Sequence, residues 1–93
     1  MTQSEDRPTQ VAMKDDMLSP VDRDAIVDLL EHGDNSPRNI ADNTDRNASS
    51  VSRRLGILEE KGIVKNKGSG VWTLTYEGIL MARTVRNEFE NND

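Results

Sequence analysis

Apolar residues along this chain follow a helical period in its first two thirds, shorten to a strand period once, and then return to the helical one. Val21, Ala25, Ile26, Leu29 and Leu30 recur at helical spacing, with Asp24, Asp28 and Glu31 on the opposite face. Ser19 is a candidate N-cap for this helix. Pro20 suits the first helical position, where its missing N–H leaves no bond unmade, and Asp22 complements the positive end of the helix dipole. His32 and Gly33 close it, a cation-capable residue followed by one that tolerates positive φ. The same start signal recurs at Ser36 and Pro37, opening a short helix to about Asn43 with Ile40 and Ala41 facing inward. A turn at Thr44, Asp45 and Arg46 follows, and Asp45 or Asn47 can cap a third helix from about Asn47 to Lys61, which Gly62 stops. At 100° per residue, Ala48, Val51, Leu55 and Leu58 share the core face of that helix. Ser49, Ser50 and Arg53 share the other, with Arg54 at the edge.

Beyond Gly62 the pattern changes. Ile63 to Asn66 reads as a strand, Lys67-Gly68-Ser69-Gly70 as a tight tip, and Val71 to Thr75 as the returning strand, with Trp72 and Leu74 toward the core. Thr75 can cap a last helix from Tyr76 to about Phe89. Its core stripe is Met81, Ala82, Val85 and Phe89, with Ile79 at the margin and Leu80 nearly opposite. Trp72, Tyr76 and Phe89 read as core anchors. Residues 1–16 carry no periodicity and are expected to be a flexible arm before a single domain over 17–93. The fold class these elements predict is mainly α with a small β-hairpin: two helices joined by a tight turn and followed by a hairpin, the order of a winged helix-turn-helix.

Charge sharpens this expectation. The 93-residue chain carries 17 acids against 12 Lys and Arg, a net of −5, yet the middle is basic. Residues 1–35 hold nine acids and three bases, residues 36–74 four acids and seven bases, and residues 75–93 four acids and two bases. A basic segment on a Ser- and Arg-bearing helix and a Lys-Gly hairpin is the electrostatic footprint of a nucleic-acid reader. In such an arrangement the third helix enters the major groove and the hairpin lies along the backbone or minor groove. Ser49 and Ser50 allow close approach, the first-turn N–H groups of the helix favour phosphate, and Arg53 is long enough to reach a guanine. Arg54 joins them on the recognition helix, while Arg38, Arg46, Lys65, Lys67 and Ser69 are the expected backbone and wing contacts. Glu59 and Glu60 would repel phosphate, so the N-terminal half of the helix is the half that docks.

Ser36-Pro37-Arg38-Asn39-Ile40-Ala41, Ser50-Val51-Ser52-Arg53-Arg54-Leu55, Leu58-Glu59-Glu60-Lys61-Gly62-Ile63-Val64 and Leu74-Thr75-Tyr76-Glu77-Gly78 together resemble archaeal winged helix-turn-helix transcriptional regulators. Met17-Leu18-Ser19-Pro20 and Gly70-Val71-Trp72-Thr73-Leu74-Thr75 add to a likeness with haloarchaeal proteins of the phage phiH repressor type. The resemblance spans about residues 17 to 82 and implies a DNA-binding repressor, often dimeric. An Asp-rich, Lys-poor surface with only three aromatic residues also suits a halophilic origin.

The expected partners are double-stranded DNA and a second copy of the chain, with Leu80 and Val27 as stray apolar residues at the dimer interface. No cysteine is present, which removes disulfides, zinc-thiolate sites and thiol catalysis and suits an intracellular protein. No signal-peptide core or membrane-length apolar run occurs, so a cytoplasmic location is expected and no membrane contact. No constellation supports an enzyme, a cofactor, a metal or a small-molecule ligand. The single histidine, His32, reads as a capping or solvent residue, and the acid pairs Asp15-Asp16 and Glu59-Glu60 as solvated charge. The rival reading is a winged-helix protein-interaction module of a larger assembly, with weak or no DNA binding.

Overall fold

The caps written into the sequence set the boundaries of the helices. In the structure, a computed structural model that describes residues 17–91 and side chains as far as Glu88, α1 spans Pro20–His32, α2 Pro37–Thr44 and α3 Ala48–Glu60. Strands β1 (Val64–Gly68) and β2 (Val71–Leu74) form the hairpin, and α4 covers Tyr76–Asn91. The expected arm at 1–16 and the side chain of Phe89 lie outside the described residues. Ser19 closes a full capping box: its Oγ accepts from Asp22 N at 3.1 Å, and Asp22 Oδ2 accepts from Ser19 N at 2.9 Å. Ser36 Oγ accepts from Asn39 N at the head of α2. Of the two candidates for α3, Asn47 is the cap; Asp45 instead ends α2 in the left-handed conformation, φ +58°. Gly33 takes φ +86° after α1, as its position after His32 predicts.

The helices pack around an aliphatic centre. α1 lies against α2, α3 and α4, and the buried set draws on all of them: Ile26, Ile40, Val51, Leu55, Leu58, Val64 and Val85 are sealed from solvent. Each such side chain contributes about 1.5–3 kcal/mol on leaving water. Leu18, just ahead of α1, joins the core, while Met17 beside it is exposed.

The wing differs from its expected form in three ways. β1 runs on to Gly68, so the tip shrinks to Ser69 and Gly70, both at positive φ (+56° and +77°), the geometry a two-residue hairpin turn needs to match strand twist. The pairing Val64↔Leu74, Lys65↔Thr73, Asn66↔Trp72 then jumps to Gly68↔Val71, which leaves Lys67 in a bulge. A third strand position also joins the sheet. Asn35 exchanges two backbone bonds with Trp72, at 3.0 and 2.8 Å, on the edge of β2 away from β1. A one-residue bridge has no alternation and so leaves no pattern in the sequence.

Thr75 caps α4 by accepting from Gly78 N through Oγ1, and its own N–H and hydroxyl donate to the Ile63 carbonyl. That carbonyl presses so closely on α4 that a Cβ at Gly78 would overlap it, so this position needs glycine.

Two expectations about burial fail. Asp28, assigned to the solvent face of α1, is 4% exposed: His32 Nδ1 lies 2.9 Å from its Oδ1, and Asn43 Nδ2 donates to Oδ2 at 3.3 Å. α2 folds over this side of α1 and supplies the amide that satisfies the carboxylate. His32 turns back along its own helix to reach this carboxylate, with its side chain still 54% exposed. Tyr76, read as a core anchor, is 70% exposed, because the first turn of α4 buries Gly78 against the hairpin and leaves position 76 outside.

Candidate nucleic-acid interface

Three elements meet at one open depression. The head of α2 supplies Ser36, Pro37 and Arg38; the first two turns of α3 supply Ala48, Ser49, Ser52 and Arg53; the wing tip supplies Ser69 and Gly70. Each contribution follows from local structure. The Ser36 cap puts Arg38 in the first turn of α2, facing out. The Val51, Leu55 and Leu58 stripe holds α3 to the core and turns Ser49, Ser52 and Arg53 away from it. The tight Ser69-Gly70 turn projects the wing tip beside them.

The depression thus gathers four of the nine DNA-contact candidates named from sequence: Arg38, Ser49, Arg53 and Ser69. Ser50 is exposed on α3 but outside the lining, and Lys65 is exposed on β1. Ser52 is a lining residue that sequence reasoning passed over. It lies 60° from Ser49 on the side away from Arg53, and centring the wheel on Ser49 instead of on the Ser49–Arg53 pair would have found it.

Three further candidates, Arg54, Arg46 and Lys67, are held by acids. Arg54 turns under α3 toward α1 and forms a bidentate pair with Asp22, Nε to Oδ1 and Nη2 to Oδ2, each at 2.8 Å. Asp22 is fully buried and the arginine side chain is 24% exposed. Its hydrogen bonds to Asp22 raise the Arg54 guanidinium above its ordinary pKa, against the opposing effect of desolvation. Arg54 was expected at the edge of the reading face; one helical step from Arg53, its shorter path is to the buried carboxylate.

Arg46 reaches Asp24 at 2.8 Å, and Lys67 reaches Asp34 at 2.8 Å, both pairs partly exposed. The Lys67 ammonium, then the Thr73 hydroxyl, hold the Asp34 carboxyl below its ordinary 3.8. A lowered pKa means that this contribution is present above pH 3.8 and is lost as the pH falls below it. Arg38, Arg53, Lys61 and Lys65 form no ion pair among the described residues. The first-turn N–H groups of α3 are also less available than expected, since Asn47 Oδ1 accepts from both Ser49 N (2.8 Å) and Ser50 N (3.2 Å).

On α4, which contributes no residue to the depression, Leu80 is 44% exposed and Tyr76 stands one turn before it on the same face. Val27 is partly buried against the core, in a shallow polar recess with Asp28 and Asn43. No helix among the described residues is long and apolar enough to cross a membrane.

A family model described as winged helix-turn-helix DNA-binding matches residues 18–65, from the residue before the α1 cap to the start of the wing. Among solved structures, the chain is similar to the C30AH42A mutant of Lactococcus lactis ZitR, with a TM-score of 0.62 and 22% identity over 78% of this chain. That match takes in 53% of the ZitR chain, so this protein spans about half its length. No curated protein is matched.

The two adjacent arginines of α3 should separate in a melting experiment. Arg54→Ala strands the buried Asp22 carboxylate and is expected to cost about 2–3 kcal/mol of stability, below the full figure for a buried pair because Arg54 is partly exposed. Arg53→Ala should stay within about 0.5 kcal/mol of wild type. Equal losses in chemical denaturation would contradict this division.

Proposed function

The chain belongs to the winged helix-turn-helix DNA-binding family, and from that premise we propose that it is a transcriptional regulator that reads duplex DNA with α3 and represses by occluding a promoter. The observation that carries this reading is the depression itself. Arg38, Ser49, Ser52 and Arg53 converge with the wing tip on one face, and none of these four is drawn into an ion pair among the described residues. Arg53 supplies base readout, with Ser49, Ser50 and Ser52 close enough to the helix surface to admit base edges or phosphate. Arg38, Lys65 and Ser69 hold the backbone. Arg46 and Lys67 could reach phosphate only by leaving their carboxylates, and Arg54 serves the reading face from behind.

The likeness to haloarchaeal phage phiH repressor-type proteins, together with an Asp-rich composition, supports a reader that works at high salt. There the Debye length is only about 3 Å, and hydrogen bonds and fit must carry affinity. Only two cations, Arg38 and Arg53, line the depression, which suits such a setting because few counterions are released on binding.

We also propose a homodimer, since one helix reading a few base pairs discriminates poorly in a genome. Tyr76 and Leu80, exposed on α4 away from the depression, support that face as the pairing surface. The same apolar face also favours the rival reading, an interaction module of a larger assembly. Val27 is a weaker interface candidate, because the core already covers part of it.

Two experiments test these proposals. Selection from a random duplex pool should yield a preferred site, against which Arg53→Ala loses about 1–3 kcal/mol and its preference at one base position. A uniform loss across all sequences would reduce Arg53 to a backbone contact. Light scattering at high salt without DNA should show a dimer for wild type and a monomer for Leu80→Glu. A variant that still dimerises would remove α4 from the interface.

A further inference from the structure

The wing carries its cations on one face. Lys65 and Thr73 stand opposite each other across the two strands, so their side chains share that face. Asn35 pairs with the outer edge of β2, and this places Asp34 beside the sheet. From the bulge in β1, the Lys67 ammonium reaches past β2 to Asp34 Oδ2 at 2.8 Å. Neither partner lines the depression, but both adjoin it along the chain: Asp34 precedes the lining residue Ser36 by two positions, and Lys67 precedes the lining residue Ser69 by two. Both partners are about half exposed, so the pair contributes little to the fold and its loss should leave the fold intact.

We propose that Asp34 is a specificity-determining residue: by holding Lys67 against the sheet, it withholds the wing's outermost ammonium from the DNA backbone and lowers affinity for random sequence. This rests on the duplex-reading function proposed above. Non-specific binding comes almost wholly from phosphate neutralisation, whereas binding to a preferred site also draws on base contacts. Removing one cation from the phosphate-binding set therefore costs random sequence a larger share of its affinity than it costs the preferred site. Asp34 also adds a negative charge where a phosphate would otherwise approach.

The test is anisotropy of a labelled random-sequence duplex across a salt series, with wild type, Asp34→Asn, Asp34→Glu, Lys67→Ala and the Asp34→Asn/Lys67→Ala double variant. Asp34→Asn is expected to bind about three- to five-fold tighter at low salt, with the slope of log K on log salt steeper by about 0.9. Asp34→Glu and Lys67→Ala should stay within about two-fold of wild type, and the double variant should return to the wild-type slope. Thermal melting of all five proteins should coincide. Three results would overturn the proposal: an Asp34→Asn slope equal to wild type, a steeper slope that survives in the double variant, or a flattening by about 0.9 from Lys67→Ala alone, which would place Lys67 on phosphate already. A wild type that binds no duplex at any salt overturns the function reading itself, and this proposal with it.

Discussion

A single buried carboxylate ties α3 to α1. Asp22 closes the capping box of α1 by accepting from Ser19 N at Oδ2, and its two carboxylate oxygens accept both arms of the Arg54 guanidinium from α3. A fully buried aspartate is tolerable only when its lone pairs are filled, and here the cap and the arginine fill them together. The consequence reaches the surface. Once Arg54 is committed inward, α3 cannot rotate about its axis without breaking the pair, and the adjacent Arg53, about 100° further round, is fixed outward. The Val51, Leu55 and Leu58 stripe would by itself allow some rolling of the helix; the bidentate pair is directional where hydrophobic packing is not.

The acidic and basic segments of the chain are therefore interlocked. The net positive charge of residues 36–74 overstates what DNA would meet, because Arg46, Arg54 and Lys67 are each engaged by an aspartate from the first 35 residues. These three pairs differ in kind. The one on Asp22 is structural, since removing either partner leaves a charge out of water. The ones on Asp24 and Asp34 are partly exposed surface contacts that contribute little to the fold. Among the described residues of the basic segment, Arg38, Arg53, Lys61 and Lys65 have no competing acid. Of these, Arg38 and Arg53 point into the depression.

Much of this was legible in the sequence because it is local. Ser-Pro starts, a glycine after the last helical turn and the switch in period at Gly62 are each a few residues long, and they located every helix and both strands to within one or two residues. What escaped depends on contacts across the chain. Asp28 looks like a surface acid until α2 folds over it with Asn43. Arg54 looks like a groove contact until α1 brings Asp22 beneath it. Asn35 pairs with a residue far along the chain, and Tyr76 is left outside by the tight seat of Gly78. Of the expected contact residues, Arg38, Ser49, Arg53 and Ser69 line the depression, where helix caps and a turn place them locally. Ser52 was missed through the choice of helix-wheel centre, not through any tertiary effect.

Amide chemical-shift mapping during titration with duplex DNA tests most directly whether the depression is the reading face. Shifts concentrated at Ser36 to Arg38, at Ala48 to Arg53 and at Ser69-Gly70 are the predicted result, with the amides of Tyr76 to Leu80 unmoved by the duplex itself. An unchanged spectrum, or shifts confined to α4, would contradict the assignment and leave the chain as a protein-interaction module.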